Sequence, residues 1–145
     1  LTNVALALVR QPAIAARILA EAPPRFALVG LSMGGMETKM ITLANLDKFS
    51  QIGLMSGGTF SMEDVEATPG FRDQVDLAFV SFGSKELDGP RRGPPGAPPM
   101  DPKANHEALK ADGINSVFYV SPDTAHEFQS WRRALRELGP LLFQQ

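Results

Sequence analysis

Apolar residues in this chain fall into short blocks separated by stretches of mixed character. Four blocks, Phe26–Val29, Gln51–Met55, Leu77–Phe82 and Ser116–Val120, run apolar without clean alternation. Such runs fit strands covered on both faces, as in a parallel sheet. Between them the period lengthens. Met36, Met40 and Ala44 recur at helical spacing, as do Phe128, Trp131, Leu135 and Leu138. The second stripe predicts a helix with Trp131 and Leu135 in the core, stopped by Gly139 and Pro140. Asn105–Asp112 predicts another helix, and Ala5–Glu21, rich in Ala, Leu, Ile and Arg, a first one interrupted at Pro12. Strands alternating with helices predict an α/β fold, a parallel sheet with flanking helices.

Composition narrows this picture. The 145 residues suffice for one domain, 1–145, and 43% hydrophobic against 21% charged content suits a globular chain. A net charge of −2 offers nothing to nucleic acid or an anionic membrane surface. No apolar run approaches the roughly 18 residues of a membrane helix. With no cysteine, disulfides and thiolate metal sites are excluded. The segment Asp88–Pro102 holds six prolines and three glycines and predicts a long surface loop within the domain. The chain opens on Leu1 without a signal peptide, which suggests a piece of something longer.

The candidate chemistry starts at "FALVGLSMGGMETKM", Phe26 to Met40. An apolar strand runs into Gly30-Leu31-Ser32-Met33-Gly34, and a helical pattern follows. A strand that turns sharply into a helix strains the turn residue, and side chains two positions away would collide with strand and helix. Glycine at Gly30 and Gly34 removes that collision. The bare G-x-S-x-G pattern is weak, and a Gly/Ser turn is the plainer account of it. The flanking strand and helix make it a nucleophile elbow, with Ser32 as nucleophile and the Met33 N–H as one oxyanion donor.

A serine nucleophile needs a base. His106 sits on an ordinary helix opening and reads as a solvated helix residue. His126 falls between the last strand and the last helix, where sites gather in open α/β sheets. The acid belongs after the strand between serine and histidine. There "LAFVSFGSKELDG" offers Glu86 and Asp88, either of which could orient the imidazole. Asp123 and Glu127 flank His126 too closely in sequence to be first choices.

Three stretches carry a family resemblance. "GLSMGGMETKMITLANLDKFSQIGLMSGG" resembles the nucleophile region of carbohydrate esterase family one, the feruloyl and acetyl xylan esterases. "SPDTAHEFQSWRRALRELGPLLF" is similar to that family's C-terminal stretch, and "FVSFGSKE" to its strand and acid turn. Enterochelin esterases and mycolyl transferases are more distant relatives. The resemblance spans about Phe26 to Phe143 and implies an α/β-hydrolase-like sheet. It implies Ser32 as nucleophile, His126 as base, Glu86 rather than Asp88 as acid, and Met33 in the oxyanion hole. The family often carries Asp at the acid turn, and the Pro/Gly-rich insertion after Asp88 is longer than the family leads one to expect.

The implied activity is serine-dependent hydrolysis of a feruloyl or acetyl ester on xylan, with a small-molecule or polysaccharide ester as substrate. No cofactor or metal is implied. The family also suggests a secreted or periplasmic setting. Members carry further strands before the elbow, and a loop there gives a second oxyanion donor. The chain thus looks like the C-terminal half of such an esterase, lacking the N-terminal strands, and is expected to be a weak esterase, or none, alone. Rival expectations are a peptidase, thioesterase or acyltransferase on the same scaffold, and an inactive truncated relative.

Overall fold

The computed structural model describes residues 26–88 and 100–144. The expected helix at Ala5–Glu21, and all of the Asp88–Pro102 loop but its ends, lie outside the described residues. Four strands, β1 (Phe26–Leu31), β2 (Phe49–Met55), β3 (Leu77–Gly83) and β4 (Ser116–Ser121), form one sheet in the order β1-β2-β3-β4. Every neighbouring pair is parallel. The fold is α/β, as the alternation of strands and helices predicts. β2 and β3 are buried along their whole length, which is why their sequences do not alternate.

Helices α1 (Met33–Leu43), α2 (Met62–Ala67), α3 (Phe71–Gln74), α4 (Ser84–Leu87) and α5 (Pro102–Ala111) lie between the strands, and α6 (Phe128–Leu138) follows β4. The sheet separates two cores. Ile52, Leu54, Ala78 and Val80 pack with Phe60, Val65, Phe71 and Leu109 on one face. Met55, Leu77 and Phe79 pack with Ala134 and Leu138 of α6 on the other. Short polar devices end the helices. Ser61 and Asp64 cap α2 reciprocally, and the same Asp64 carboxylate takes the Lys39 ammonium at 2.6 Å, tying α2 to α1. Asp101 accepts the Lys103 and Ala104 amides at 3.1 Å, and Pro102 supplies the first turn of α5.

Helix faces depart from the apolar stripes. In α1 the buried residues are Gly35, Thr38 and Thr42, while Met36 and Met40 are 54% and 73% exposed. In α6 the buried residues are Ser130, Ala134 and Leu138. Leu135 and Phe128 are exposed, at 55% and 72%, which corrects the expectation that Leu135 is core; Trp131 is half-buried. The cause is close approach. A Cβ on Gly30 would lie 2.0 Å from the Gly34 carbonyl oxygen and 2.4 Å from Thr38 Oγ1, so α1 rests directly on β1. Only small residues fit such an interface, and large apolar ones turn away. The Thr42 hydroxyl is satisfied by donating to the Thr38 carbonyl at 2.8 Å. Gly34 itself is not crowded, since a Cβ there meets nothing within 4 Å. The two glycines flanking the elbow therefore have different reasons.

His106 is half-buried rather than solvated. Its Nδ1 lies 2.9 Å from Ser116 Oγ, at the start of β4, and its ring is 6.0 Å from that of Phe118. Burial pushes its pKa below the usual histidine value, and Lys110 adds to this against the opposing Glu107.

Two predictions follow from these contacts. Gly30→Ala should destabilise the fold by about 1–3 kcal/mol through overpacking, whereas Gly34→Ala should be neutral or stabilise by up to about 1 kcal/mol. Denaturant titration of both variants decides the matter; equal effects would refute the packing account. For His106, both states are neutral above pH ~6.5 and the fold keeps its full stability. As pH falls below that value the unfolded chain takes up the proton first, so stability declines until pH passes the lowered native pKa. His106→Gln should remove this share of the loss between pH 7.5 and 5 in paired denaturant titrations. A pH dependence identical to the parent's would exclude His106 as its source.

Candidate active site

Ser32 joins β1 to α1 with φ 54° and ψ −123°, a backbone conformation unfavourable for any residue but glycine. Its own amide holds it there, donating to the Met55 carbonyl at 2.8 Å beyond the last pair of the β1–β2 ladder. A serine at a helix N-cap normally accepts a hydrogen bond from the first turn. Ser32 makes no such cap. Its Oγ lies instead 2.7 Å from His126 Nε2. The first-turn amides of α1, Met33 foremost, are thus left without the serine cap, at the positive end of the helix dipole.

Glu86 lies on α4, directly after β3, with its side chain 12% exposed. Its two carboxylate oxygens are divided. Oε2 accepts the Gly83 amide at 2.7 Å and the Ser56 hydroxyl at 2.8 Å. Oε1 faces His126 Nδ1 at 2.8 Å. Asp88 ends α4 as an exposed residue, and the carboxylate brought to His126 is that of Glu86. A carboxylate accepts and does not donate. Against an ionised Glu86, a neutral His126 donates from Nδ1 and turns its Nε2 lone pair to the Ser32 hydroxyl.

His126 sits in the loop between β4 and α6, its side chain 49% exposed. Hydrogen bonds fix that loop from both sides. Below it, Thr124 Oγ1 donates to the Ser121 carbonyl at 3.0 Å, and the Ser130 hydroxyl lies 2.7 Å from Thr124 Oγ1 and 2.5 Å from the Ala125 carbonyl. Beside it, the Lys85 amide donates to the Thr124 carbonyl at 2.9 Å, and the Asp123 amide to Ser84 Oγ at 3.0 Å. These last two lace the histidine loop to the acid helix. Glycine is required where they cross, because a Cβ on Gly83 would stand 2.4 Å from the Thr124 carbonyl oxygen. Trp131 closes the site. Its ring meets the His126 imidazole edge-on, with centroids 5.3 Å apart, and its Nε1 donates to Ser56 Oγ at 3.0 Å.

Ser32, His126 and Glu86 are thus in direct contact, with the Met33 amide adjoining Ser32. His106 is at the opposite edge of the sheet, against the first residue of β4. Sequence reasoning missed Ser56 and placed Trp131 only in the core. The available signal was "LMSGG" (Leu54–Gly58), a second serine followed by glycine at a strand end. Among the described residues no three His, Asp or Glu side chains gather as metal ligands, and no helix is long and apolar enough to cross a membrane.

No family model matches the chain. A protein of Xylanibacter ruminicola named endo-1,4-beta-xylanase/feruloyl esterase is 42% identical over 117 residues. The match covers 81% of this chain and 14% of that protein, so the chain spans a small part of its relative. The likeness supports a relationship of the xylan-esterase kind. The relative's name carries two activities, and the name does not say which segment performs which.

The lacing of the two loops generates a prediction. Gly83→Ala should force the Thr124–Ala125 backbone away and carry His126 off Glu86. A displacement near 1 Å at such a site costs about 10² in rate. Reaction of Ser32 with a fluorophosphonate should slow to that degree while circular dichroism stays that of the parent. Unchanged labelling would show that the loop yields without moving the imidazole.

Proposed function

We propose that this chain is a serine esterase domain of carbohydrate esterase family one, with an α/β-hydrolase architecture and a feruloyl ester of xylan as substrate. The observation that carries the reading is the unbroken line Ser32 Oγ, His126 Nε2, His126 Nδ1, Glu86 Oε1, with contacts of 2.7 and 2.8 Å. The strained backbone at Ser32 supports it, because strain of this kind persists where it aims a reactive group. The relative's name supports the substrate. Of the two activities in that name, glycoside cleavage calls for two carboxyl groups across the scissile bond. Glu86 is instead committed to a histidine, a serine and an amide. Leu31 and Met33, on either side of Ser32 in the chain, are exposed and offer apolar surface to an aromatic acyl group.

In the proposed mechanism Ser32 Oγ attacks the ester carbonyl carbon as its proton passes to His126 Nε2. The imidazolium keeps its Nδ1–H on Glu86, which holds the ring and offsets its charge. The carbonyl oxygen takes up the negative charge beside the Met33 amide. Collapse expels the sugar hydroxyl oxygen, which receives the proton from Nε2, and an acyl-Ser32 remains. Water then gives a proton to Nε2 and adds to the acyl carbon. Release of the acid returns that proton to Ser32.

Hydrolysis of methyl ferulate and of a small activated ester tests this, with matched thioester and peptide substrates alongside. Slow turnover of the esters is expected, since the Met33 amide is the one oxyanion donor identified among the described residues. Ser32→Ala and His126→Ala should each lower kcat by about 10⁶ and Glu86→Gln by about 10⁴. Preference for the thioester or peptide would reassign the reaction class. Ester turnover that survives Ser32→Ala would refute the mechanism.

A further inference from the structure

Ser56 stands outside the mechanism above, yet its hydroxyl reaches the acid. It follows β2 with φ 53°, a left-handed conformation in which serine is uncommon. Its amide donates to the Ser81 carbonyl at 2.7 Å, which anchors the strained backbone to β3. Its Oγ has two partners, the Glu86 Oε2 acceptor at 2.8 Å and the Trp131 Nε1 donor at 3.0 Å. An indole N–H only donates, and a serine hydroxyl has a single proton to give. Trp131 therefore fills an acceptor site on Ser56 and leaves its proton nowhere to go but Glu86. The hydroxyl cannot rotate without losing both bonds.

We infer that Ser56 and Trp131 are positioning residues that act on His126 through Glu86, so that the working chain has five members: Trp131, Ser56, Glu86, His126 and Ser32. The inference rests on the proposed triad and deepens it. With Oε2 occupied by Ser56 and the Gly83 amide, rotation of the carboxylate is blocked and Oε1 alone faces His126 Nδ1. That selects the Nδ1–H tautomer, the one that leaves Nε2 free to take the Ser32 proton. Donation from the indole also polarises the Ser56 hydroxyl and strengthens its bond to the carboxylate. The same indole, edge-on to the imidazole, bars the ring from swinging out of line. One side chain thus holds the base by its ring and, through Ser56, the acid by its N–H.

The tautomer can be read without turnover. The chain has two histidines, so imidazole ¹⁵N shifts at alkaline pH are assigned by comparison with His126→Gln. The parent's His126 should carry its proton on Nδ1. Ser56→Ala should move it largely to Nε2, the form a free histidine side chain favours, and slow ester cleavage by about ten- to a hundredfold, short of the ~10⁴ for the acid itself. Trp131→Phe keeps a ring beside His126 and removes the donor; it should act in the same direction. Ser56→Ala combined with Trp131→Phe should be no worse than Ser56→Ala alone, because both cut one chain. Ser56→Gly relieves the positive φ and should melt no lower than the parent while losing the tautomer, an outcome a purely structural serine would not give. Retention of Nδ1–H in both Ser56 variants, a parent already protonated on Nε2, or multiplying effects of the two substitutions would each overturn the relay. A parent that holds Nδ1–H, loses it in both Ser56 variants and cleaves no ester would overturn the esterase reading and uphold the relay.

Discussion

Parallel pairing is the constraint on which the site depends. All four strands point the same way, in a register that sets Leu31 beside Met55, Met55 beside Ser81, and Gly83 beside Ser121. Each strand therefore ends within a residue or two of its neighbour, and all four following loops leave from one edge. Ser32, Ser56, Glu86 and His126 come one from each. No loop has to travel far, so short hydrogen bonds between loops suffice to fix the geometry. A slip of one residue in β3 would carry Glu86 away and turn Ala78 and Val80 to the opposite core. The two apolar faces of β2 and β3 specify the register that the site requires.

Small residues convert this register into contact distances. Gly30 lets α1 settle onto β1, which sets the angle at which Ser32 leaves the strand. Gly83 lets the histidine loop cross the acid helix with no side chain between them. Ser32 and Ser56 both accept positive φ at the same edge, and the amide of each donates a hydrogen bond to the neighbouring strand. The two cores on either face of the sheet are built of apolar residues. Among the described residues no buried side-chain nitrogen or oxygen lacks a partner, so the network is fully satisfied.

The strands were legible because continuous apolar runs bounded by polar residues have few other readings; their ends agree with the structure within two residues. Helix faces were not. Apolar periodicity located α1 and α6 but missed the buried side of α1, where close approach to the sheet decides, and in α6 placed Leu138 correctly and Leu135 wrongly. In α6 Ala134 and Leu138 pack on β3, and Ser130 is bonded to the Thr124–Ala125 loop. His106 looked solvated since nothing local in sequence signals Ser116, ten residues on. The elbow motif and the chain order pointed to Ser32 and His126; the residues alone left Glu86 and Asp88 open, the resemblance favoured Glu86, and the structure brings Glu86 to His126. Ser56 and Trp131 were out of reach of local reading, for their hydrogen bond joins positions 75 residues apart.

Reaction of the folded protein with a fluorophosphonate, followed by mass mapping of the adduct, tells whether His126 and Glu86 activate Ser32. Such reagents trap a serine only where a neighbouring base activates it. The account predicts one adduct per chain, on Ser32, absent from Ser32→Ala and strongly reduced in His126→Ala. A folded protein that stays unmodified, or one modified at another residue, would contradict it.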